Sequence, residues 1–265
     1  MAHRAARQVI ATYSTSFGIA SALLPRAMRR DIAHLYAVVR IADEIVDGAA
    51  PAETASAQLE AYEEAVCAAP ARPFHTDPIL HAYAATARHC GFAEEHLRAF
   101  FASMRTDLTP REYTPEELTQ YIYGSAEVIG LLCLDVFLAD APYAGDRAYL
   151  ENGARHLGAA FQKVNFLRDL HEDTVRLGRA YYPRDLTSVD KQKIVESIKA
   201  DLAEATPTIE ELPRGARVGV RAAAGIYGRL TEQLDAMTTQ ELHARRAHVP
   251  AWEKAAIAAR AVARG

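Results

Sequence analysis

The feature that most constrains the fold is a run of polar side chains at helical spacing within residues 160–183. Successive members are three, four and four residues apart, and they are Gln162, Asn165, Asp169 and Asp173. This spacing places them on one face of one predicted helix. Two carboxylates one turn apart repel each other by about 0.2–0.5 kcal/mol, whereas a divalent cation between them makes the arrangement favourable. The pattern is typical either of a solvated helix face or of a Mg²⁺ site.

A second acidic pair favours the metal interpretation. Within residues 29–48 an apolar stripe predicts another helix, and one edge of it carries residues four, three and four apart, namely Tyr36, Arg40, Asp43 and Asp47. Gly48 follows and is expected to end the helix. Two helices that each present two aspartates one turn apart can face each other across a bundle and bracket a group of divalent ions.

A site of this composition suits a diphosphate. Mg²⁺ bridges phosphate oxygens to carboxylates, while nearby arginines such as Arg40 and Arg168 take the remaining charge. A neutralised diphosphate is a good leaving group, and its departure from an allylic carbon leaves a carbocation. Such a cation needs a dry apolar cavity, which apolar helix walls and aromatic faces would supply.

Composition and charge limit the number of domains and the kinds of binding partner. The chain has 265 residues, 50% of them hydrophobic, which is enough for one well-buried core. No repeat or linker divides it, so we predict a single domain over residues 1–265. Thirty basic residues against 34 acidic ones give a net charge of −4, and no long basic run occurs. This balance gives no indication of nucleic-acid binding.

The N-terminal segment, the most apolar segment and the cysteines bear on where in the cell the protein is located. Residues 1–17 lack an apolar core of signal-peptide length. The most apolar segment, residues 128–139, is interrupted by Asp135 and is too short to span a bilayer. Three cysteines without metal-type spacing indicate buried thiols in a reducing cytoplasm, and they are Cys67, Cys90 and Cys133.

An all-α fold is predicted, because good helix formers dominate and alternating β-branched runs and hairpin turns are absent. Prolines and glycines mark helix ends, and Pro207 is expected to lie beyond one of them. Thr114 followed by Pro115 is typical of a helix start. The predicted helices span about residues 3–12, 16–23, 27–48, 52–69, 77–90, 94–107, 115–139, 145–176, 189–204, 215–238 and 250–263.

These motifs together resemble the squalene/phytoene synthase family, whose members join two prenyl diphosphates head to head. The resemblance covers nearly the whole chain, and its main segments are residues 13–47, 121–130, 162–173, 178–183 and 242–246. One departure is the Asp-Glu-Ile-Val-Asp sequence of residues 43–47, where many members begin with Asp-Asp. The resemblance implies the all-helical isoprenoid-synthase bundle, with a central cavity and Mg²⁺ at its mouth.

The resemblance also implies roles for individual residues. Mg²⁺, or Mn²⁺ in its place, would be held by the catalytic aspartates Asp43, Asp47, Asp169 and Asp173. The tyrosines with catalytic roles near the diphosphates and the reacting carbons would be Tyr36, Tyr121 and Tyr227. The substrate diphosphates would be bound by Ser14, Ser16, Phe17, Arg40, Gln162, Asn165, Arg168 and Arg245, with Arg246 as the alternative to Arg245 in register.

Simpler structural roles remain open for several of these residues. Ser14 and Ser16 would serve equally well as caps of the next helix. Tyr121 lies in an apolar helix, where a tyrosine is usually a core residue whose hydroxyl group has a partner. Arg245 and Arg246 belong to a run that is typical of a solvated turn.

The expected reaction is a head-to-head prenyl transfer through a cyclopropyl diphosphate. Small residues, among them Gly18, Ser21, Gly124 and Gly130, either leave cavity volume or only let neighbouring helices approach closely. On the first interpretation they favour two C20 geranylgeranyl diphosphates and a phytoene product over two C15 farnesyl diphosphates and dehydrosqualene or squalene. No dinucleotide-binding glycine motif occurs, so we expect product formation by proton loss without a reductant. The lipophilic product also suggests peripheral membrane contact by a cytoplasmic protein.

Two rival interpretations use the same fold. A non-catalytic binding or assembly factor would be expected to have lost part of the acidic motifs, yet all four aspartates are present. A chain-elongating or cyclising terpene synthase usually carries Asp-Asp-x-x-Asp or an Asn-Ser-Glu-type second motif, and neither occurs in the sequence. The sequence therefore favours an active head-to-head enzyme.

Overall fold

The fold is built from helices packed side by side. The computed structural model describes residues 1–13, 15–141 and 143–264, apart from the side chains of Thr15, Ser16 and Arg176. The α-helices in this part are α1 (Ala2–Tyr13), α2 (Thr15–Ala22), α3 (Arg26–Glu44), α4 (Ala52–Ala68), α5 (Pro78–Cys90), α6 (Glu94–Thr106), α7 (Pro115–Ile122), α8 (Val128–Leu138), α9 (Arg147–Arg168), α10 (Leu170–Arg176), α11 (Ser188–Glu211), α12 (Arg214–Ala236), α13 (Thr239–Ala244) and α14 (Ala251–Ala263). The remaining helical turns are the π-helical segments Ile45–Ala49 and Tyr123–Glu127 and the 3₁₀ turn Ala69–Ala71. The all-α prediction is confirmed, and β pairing in the described residues is limited to one isolated bridge, Glu112 to Ala180.

Local capping explains where several helices begin. At the start of α7, Thr114 Oγ1 accepts a hydrogen bond from the Glu117 backbone N–H, and the Glu117 carboxylate accepts one from the Thr114 N–H. Thr238 and Glu241 form the same capping box on α13, a short helix that the sequence pattern does not predict. The observed bounds of α1, α2, α4, α5, α6 and α14 lie within one residue of the predicted ones.

Two predicted helices contain a wider turn. The helix predicted over residues 27–48 passes from α3 into the π-helical segment Ile45–Ala49, where Gly48 has φ +103°. The helix predicted over residues 115–139 contains the π-helical segment Tyr123–Glu127 between α7 and α8. Each π-helical turn holds an extra residue, so Asp47 is rotated away from the position that an ideal α-helix would give it.

The prediction of one helix over residues 145–176 is wrong at Asp169. This residue lies between α9 and α10 with φ −101° and ψ 11°, outside helical geometry. Hydrogen bonds still connect the Asp169 N–H to the Asn165 carbonyl (2.8 Å) and the Asp173 N–H to the Asp169 carbonyl (3.0 Å). The polar face therefore continues across the bend instead of following one straight helix.

The expectation that Pro207 lies beyond a helix is also wrong. α11 continues through it to Glu211. An interior proline costs about 3 kcal/mol, because it lacks an N–H donor and its ring crowds the preceding turn. The turn that follows buries Thr208 and Ile209, and Thr208 packs directly over Gly153 of α9. We attribute the survival of the helix to this burial, which short-range sequence signals do not reveal.

The continuous helical run Pro115–Leu138 is the central rod of the bundle, and α9 lies against it at backbone contact. A Cβ atom on Gly130 would overlap the Ala154 carbonyl, and one on Gly158 would lie 2.5 Å from the Ala126 carbonyl. Only glycine permits this approach. The close packing fixes the side chains of α9 relative to those of the rod.

Two clusters of buried apolar side chains fill the space between the helices. The larger cluster includes Phe100, Leu132 and Leu167. Phe92 and Cys133 pack against both clusters, so the apolar interior is continuous across them. The assignment of residues 1–265 to a single domain stays a prediction, as does the central cavity.

The central rod is longer than the apolar segment of residues 128–139 that the sequence analysis considered as a membrane span. Pro115–Leu138 has 24 residues, and its most apolar 18-residue window has a mean hydropathy of 1.6, so by length and composition it is sufficient to cross a membrane. Its most apolar stretch is 56% buried inside the protein, as in the core helix of a globular protein. The argument that the apolar segment is too short is therefore corrected, and its burial supports a role in the core.

The three cysteines, Cys67, Cys90 and Cys133, are free and partly buried. Burial raises the pKa of Cys90 and of Cys133 to about 12 and that of Cys67 to about 11. Thiols with such pKa values stay protonated and are weak nucleophiles. The sequence predicts buried thiols, and the structure leaves all three at intermediate exposure.

Candidate active site

The two acidic motifs lie side by side, and Arg179 bridges them. Asp43 lies in the last turn of α3 and Asp47 in the π-helical segment that follows, while Asp169 lies at the bend between α9 and α10 and Asp173 in the first turn of α10. Arg179 Nη1 donates to Asp47 Oδ1 at 2.8 Å, and the Arg179 backbone N–H donates to the Asp173 carbonyl at 3.0 Å. One residue thus ties the first motif to the second.

Burial and neighbouring carboxylates perturb these acids. Burial, together with the charge of Asp47, raises the pKa of Asp43 to about 8. Burial and the charge of Asp169 raise the pKa of Asp173 to about 7. Burial would also raise the pKa of Asp169, but hydrogen bonds from two arginines hold it below its ordinary value. The protein alone therefore compensates the negative charge of the site only in part.

The donor set fits a hard divalent cation. Carboxylate oxygens are the ligands that Mg²⁺ prefers, and the raised pKa values mark charge that a cation would relieve. The residues that would hold the ion are Asp43, Asp47, Asp169 and Asp173. Within the described residues, a tighter group of ligand atoms, all within 4.8 Å, lies elsewhere at Asp31, His89 and Cys90. Asp31 already accepts a hydrogen bond from Thr86 at 2.6 Å.

Arg40 combines protein contacts with an unused donor. It bonds to Glu44, lies 3.8 Å from Asp43 Oδ2 and stacks 4.5 Å over the ring of Tyr13. Its Nε atom is buried and has no hydrogen-bond partner among the described residues. An unsatisfied buried donor costs about 1–3 kcal/mol, so this atom favours an anionic oxygen beside it. Glu44, the departure from the usual Asp-Asp, serves as the partner of Arg40.

Two amides of α9 line the same face. Gln162 Nε2 donates to Ser125 Oγ of the central rod at 3.2 Å. The hydroxyl group of Tyr227, from α12, donates to Asn165 Oδ1 at 3.4 Å. The structure thus places both predicted amides and Tyr227 beside the acidic motifs, each held by a neighbouring helix.

Aromatic side chains form an apolar wall next to these amides. The rings of Phe161 and Tyr227 are stacked with centroids 3.8 Å apart. Phe17 lies 5.9 Å from Tyr227, 6.0 Å from Phe161 and 6.5 Å from Tyr36. Phe17, Tyr36 and Tyr227, which the sequence nominated separately, are therefore one cluster. Ser14 lies outside the described residues, and so does the side chain of Ser16.

Of the two arginines near the end of the chain, the structure brings Arg246 to the site and leaves Arg245 outside it. Arg246 Nε and Nη2 donate to the two Asp169 carboxylate oxygens at 2.5 and 3.2 Å. Arg168 donates to the same carboxylate at 2.9 and 2.5 Å. Arg245 pairs instead with Glu241 of α13 at 2.8 Å. The geometry favours Arg246, the register alternative, over Arg245, because α13 ends at Ala244 and the extended chain after it turns alternate side chains in opposite directions.

A buried carboxylate that the sequence did not nominate organises the inner side of the site. Asp107 accepts hydrogen bonds from the hydroxyl groups of Tyr121 (2.6 Å), Tyr181 (3.1 Å) and Tyr113 (3.3 Å). Arg179 lies 3.5 Å from the same carboxylate and donates two further bonds to the Asp107 carbonyl. Burial raises the pKa of Asp107, while Arg179 and the tyrosines act in the opposite direction.

The contacts with Asp107 explain why the polar groups of Tyr121 and Arg179 are buried. Tyr121 is 5% exposed and its hydroxyl group is committed to Asp107, in line with the alternative of a core tyrosine with a satisfied hydroxyl. Arg179 is 4% exposed and holds Asp47 from the other side. A single acid outside any periodic motif gives no pattern to detect. Arg179, in contrast, lies in the family-like Gly-Arg-x-Tyr-x-Pro sequence of residues 178–183, and this motif is the sequence signal by which it could be found.

Solved structures and curated proteins of known name are similar to this chain. A squalene synthase from Alicyclobacillus acidocaldarius superposes with a TM-score of 0.78 at 21% identity, covering 93% of this chain and 95% of that one. The 15-cis-phytoene synthase of Synechocystis sp. is 30% identical over 96% of this chain and 82% of its own length. The presqualene diphosphate synthase of Rhodopseudomonas palustris is 33% identical over 69% of this chain and 62% of its own length.

The fold and the facing acidic helices define a prenyltransferase of the isoprenoid-synthase class. The model of the squalene/phytoene synthase family matches residues 10–253, which is most of the sequence. The chain belongs to the squalene/phytoene synthase family. The resemblance read from the sequence motifs is confirmed.

Proposed function

We propose that the protein joins two prenyl diphosphates head to head, with C20 geranylgeranyl diphosphate as the preferred substrate and phytoene as the product. The observation that carries the proposal is the Arg179 bridge, which holds Asp47 of the first motif beside Asp173 of the second. The relative named 15-cis-phytoene synthase supports the phytoene product. The relative named presqualene diphosphate synthase supports the alternative, a C15 route to dehydrosqualene or squalene.

Arginines at both acidic motifs would bind the substrate diphosphates. Arg40 offers its buried Nε, and Arg168 and Arg246 lie beside Asp169 with guanidinium groups suited to paired phosphate contacts. When bound by the four aspartates, Mg²⁺ supplies the positive charge that makes a diphosphate a good leaving group. Mn²⁺ would serve in the same way. The arginines take the diphosphate charge that remains as the carbon–oxygen bond breaks.

Aromatic faces protect the cation that forms. Phe17, Phe161 and Tyr227 make a wall beside Asn165, and their π faces attract positive charge while excluding water. The double bond of the second substrate attacks the C1 cation left by the first diphosphate, and the new cation that results loses a proton as a cyclopropyl ring closes. A second ionisation, rearrangement and proton loss then give the hydrocarbon, so no reductant is consumed.

Asp107 acts on this chemistry through its neighbours. It fixes the hydroxyl groups of Tyr121 and Tyr181 and faces Arg179, which in turn orients Asp47. Asp107 is therefore a positioning residue, and Tyr121 lines the inner side of the site with its ring. A carboxylate ligand held within a few tenths of an ångström keeps the geometry that ionisation needs.

The argument for the length of the prenyl substrate rests on residues of α2 alone. Gly124 and Gly130 pack against neighbouring backbone, since added Cβ atoms there would overlap Ala99 and Ala154, so their small size serves helix packing. The expectation that they leave cavity volume is wrong. At Gly18 an added Cβ would meet no described atom within 4 Å. The buried Ser21 Oγ donates to the Gly18 carbonyl at 3.1 Å, one turn beyond Phe17, where a larger side chain would shorten a tail channel.

A direct competition assay tests the proposal. Purified protein is incubated with Mg²⁺ and an equal mixture of C15 and C20 diphosphates, and the extracted hydrocarbons are identified by mass. We expect phytoene to dominate, and Ser21→Phe to shift the product towards the C15-derived hydrocarbon. Ala22→Phe, at the exposed neighbouring position, is the matched control and should leave the product unchanged. Dominant C15 turnover by the unmodified protein would overturn the C20 preference, and absence of any hydrocarbon would favour the non-catalytic rival.

For its location we infer a cytoplasmic protein that touches a membrane peripherally during product release. The free, protonated thiols support a reducing compartment, and a hydrocarbon product has little solubility in water. Flotation of the protein with lipid vesicles, with and without turnover, tests the contact. Equal recovery in the vesicle-free fraction under both conditions would contradict it.

A further inference from the structure

A cleft lined only by basic side chains lies at the start of α1 and α3. Its volume is about 240 Å³, and the residues that line it are His3, Arg4, Arg7, Arg26, Arg29 and Arg30. Arg4 and Arg7 share one face of α1, and Arg26, Arg29 and Arg30 share one face of α3, so the two helices turn these faces towards each other. The arginines of both helices are exposed at the rim.

The positive charge of this basic cleft is largely uncompensated. Arg30 pairs with Asp31 at 3.3 Å, but the described residues place no carboxylate against Arg4, Arg7 or Arg26. Burial, and then the charges of Arg30, Arg7 and Arg26, lower the pKa of His3. Like charges in one cleft repel one another, and an anion in the cleft would remove the repulsion. This local positive charge differs in sign from the net charge of the whole chain, which is −4.

The basic cleft is separate from the acidic site. Arg26 begins α3 and Asp43 lies near its other end, 17 residues later, which corresponds to about 25 Å along the helix axis. The N-terminal ends of α1 and α3 both adjoin the cleft, and each adds the positive end of a helix dipole to the arginine charges. The cleft therefore attracts anions at the opposite end of α3 from the proposed metal ions.

We propose that the basic cleft is a second anion site, which binds phosphate groups through the paired arginine faces of α1 and α3. Guanidinium groups bind phosphate oxygens with two parallel hydrogen bonds, and five of them around one cleft match a multiply charged phosphate. The phosphate is carried either by anionic phospholipid headgroups at a membrane surface or by a free diphosphate. This inference stands independently of the proposed reaction.

Two binding measurements on the full chain distinguish the sources. Both use EDTA, so that the aspartate site cannot recruit a diphosphate through a metal ion. The first titrates inorganic pyrophosphate and follows heat release together with the NMR signals of the His3 ring. The second measures co-sedimentation with phosphatidylcholine vesicles that contain or lack phosphatidylglycerol.

The decisive variant is the double substitution Arg7→Gln with Arg26→Gln, which removes one unpaired charge from each helix. Its matched control is Arg72→Gln with Arg260→Gln, two exposed arginines remote from the cleft in sequence, so that both variants lose the same total charge. We expect the cleft variant to bind about 25-fold more weakly, because each of the two arginines contributes about fivefold at an anionic surface. The control should bind within about twofold of the unmodified protein, as expected for charges outside the contact.

Each outcome decides the matter. Phosphatidylglycerol-dependent sedimentation that only the cleft variant loses supports the headgroup source. Pyrophosphate binding that shifts the His3 signals and is lost in the cleft variant supports the free diphosphate. Failure of both ligands to bind, or equal weakening in the cleft variant and the control, overturns the proposal. Hydrocarbon formation can succeed or fail without changing any of these results.

Discussion

At the scale of single residues, Asp107 shows how a site depends on a side chain that no motif contains. Three tyrosine hydroxyl groups donate to its carboxylate, and Arg179 couples it to Asp47. Replacing Asp107 with Asn keeps the shape but removes the charge that faces Arg179. The expected result is a loss of about a hundredfold in turnover with a smaller change in substrate KM, because Asp47 loses its support.

The control for Asp107→Asn is Asp185→Asn, at an exposed position. Circular dichroism and thermal melting establish that both variants are folded. If the role of Asp107 were only structural, the melting temperature would fall while turnover per folded molecule stayed normal, which would contradict the positioning role. Rescue of part of the activity by Asp107→Glu would support it.

His34 makes stability depend on pH. Burial, with the charges of His3 and Arg30 against that of Asp31, lowers its pKa from 6.5 to about 4, and its ring contacts Thr86 at 2.8 Å. The unfolded chain therefore binds this proton more readily. The contribution of His34 is complete above about pH 6.5 and is lost as the pH falls towards 4, by about 3 kcal/mol.

Urea unfolding of the unmodified protein and of His34→Gln, measured across this pH range, tests the dependence. The difference in unfolding free energy between the two proteins should be largest near neutral pH and should shrink in acid. A constant difference would show that His34 does not titrate as its burial implies.

At the scale of elements, helix starts and apolar stripes are readable from the sequence, whereas departures from a straight α-helix are not. The Thr114 capping box involves groups three residues apart, so local pattern reveals it. The π-helical segments and the bend at Asp169 depend on contacts between distant parts of the chain, such as the bond from Arg246 to Asp169. The helix continues through Pro207 because the next residues, Thr208 and Ile209, are buried, with Thr208 packed against α9.

The glycine contact between the central rod and α9 gives a prediction at this scale. Gly130→Ala places a methyl group on the Ala154 carbonyl and should destabilise the protein by about 1–3 kcal/mol, since the two helices must separate. Gly228→Ala, also within a helix, meets no described atom within 4 Å and should be neutral or stabilising by up to about 1 kcal/mol. Chemical denaturation of both variants provides the measurement, and equal effects would contradict the close-packing account.

At the scale of the whole molecule, the sequence predicts the acidic motifs, but the side chains that join them depend on the tertiary fold. Asp43, Asp47, Asp169 and Asp173 are visible because helical periodicity repeats. The choice of Arg246 over Arg245 depends on how the chain leaves α13, and Asp107 meets Tyr181 across 74 residues of sequence. Periodicity carries no information about either contact.

Removal of metal tests the whole-site assembly. EDTA should abolish hydrocarbon formation, because the diphosphate then lacks the cation that neutralises it, and Mg²⁺ or Mn²⁺ should restore it. The thermal melting temperature should rise when Mg²⁺ is added, since the ion relieves repulsion among the buried aspartates. Full activity in excess EDTA would be incompatible with this account.

The most direct test of the central claim is the rate of hydrocarbon formation from C20 diphosphate with Mg²⁺ and without reductant, compared across single aspartate variants. Asp43→Asn and Asp169→Asn each remove one charged oxygen donor from one motif and keep the side-chain shape, whereas Asp185→Asn changes an exposed aspartate. We predict that the unmodified protein and Asp185→Asn form phytoene at similar rates and that both motif variants, still folded, lose activity by orders of magnitude. Near-normal phytoene formation by either motif variant, or a strict requirement for NADPH, would contradict the account.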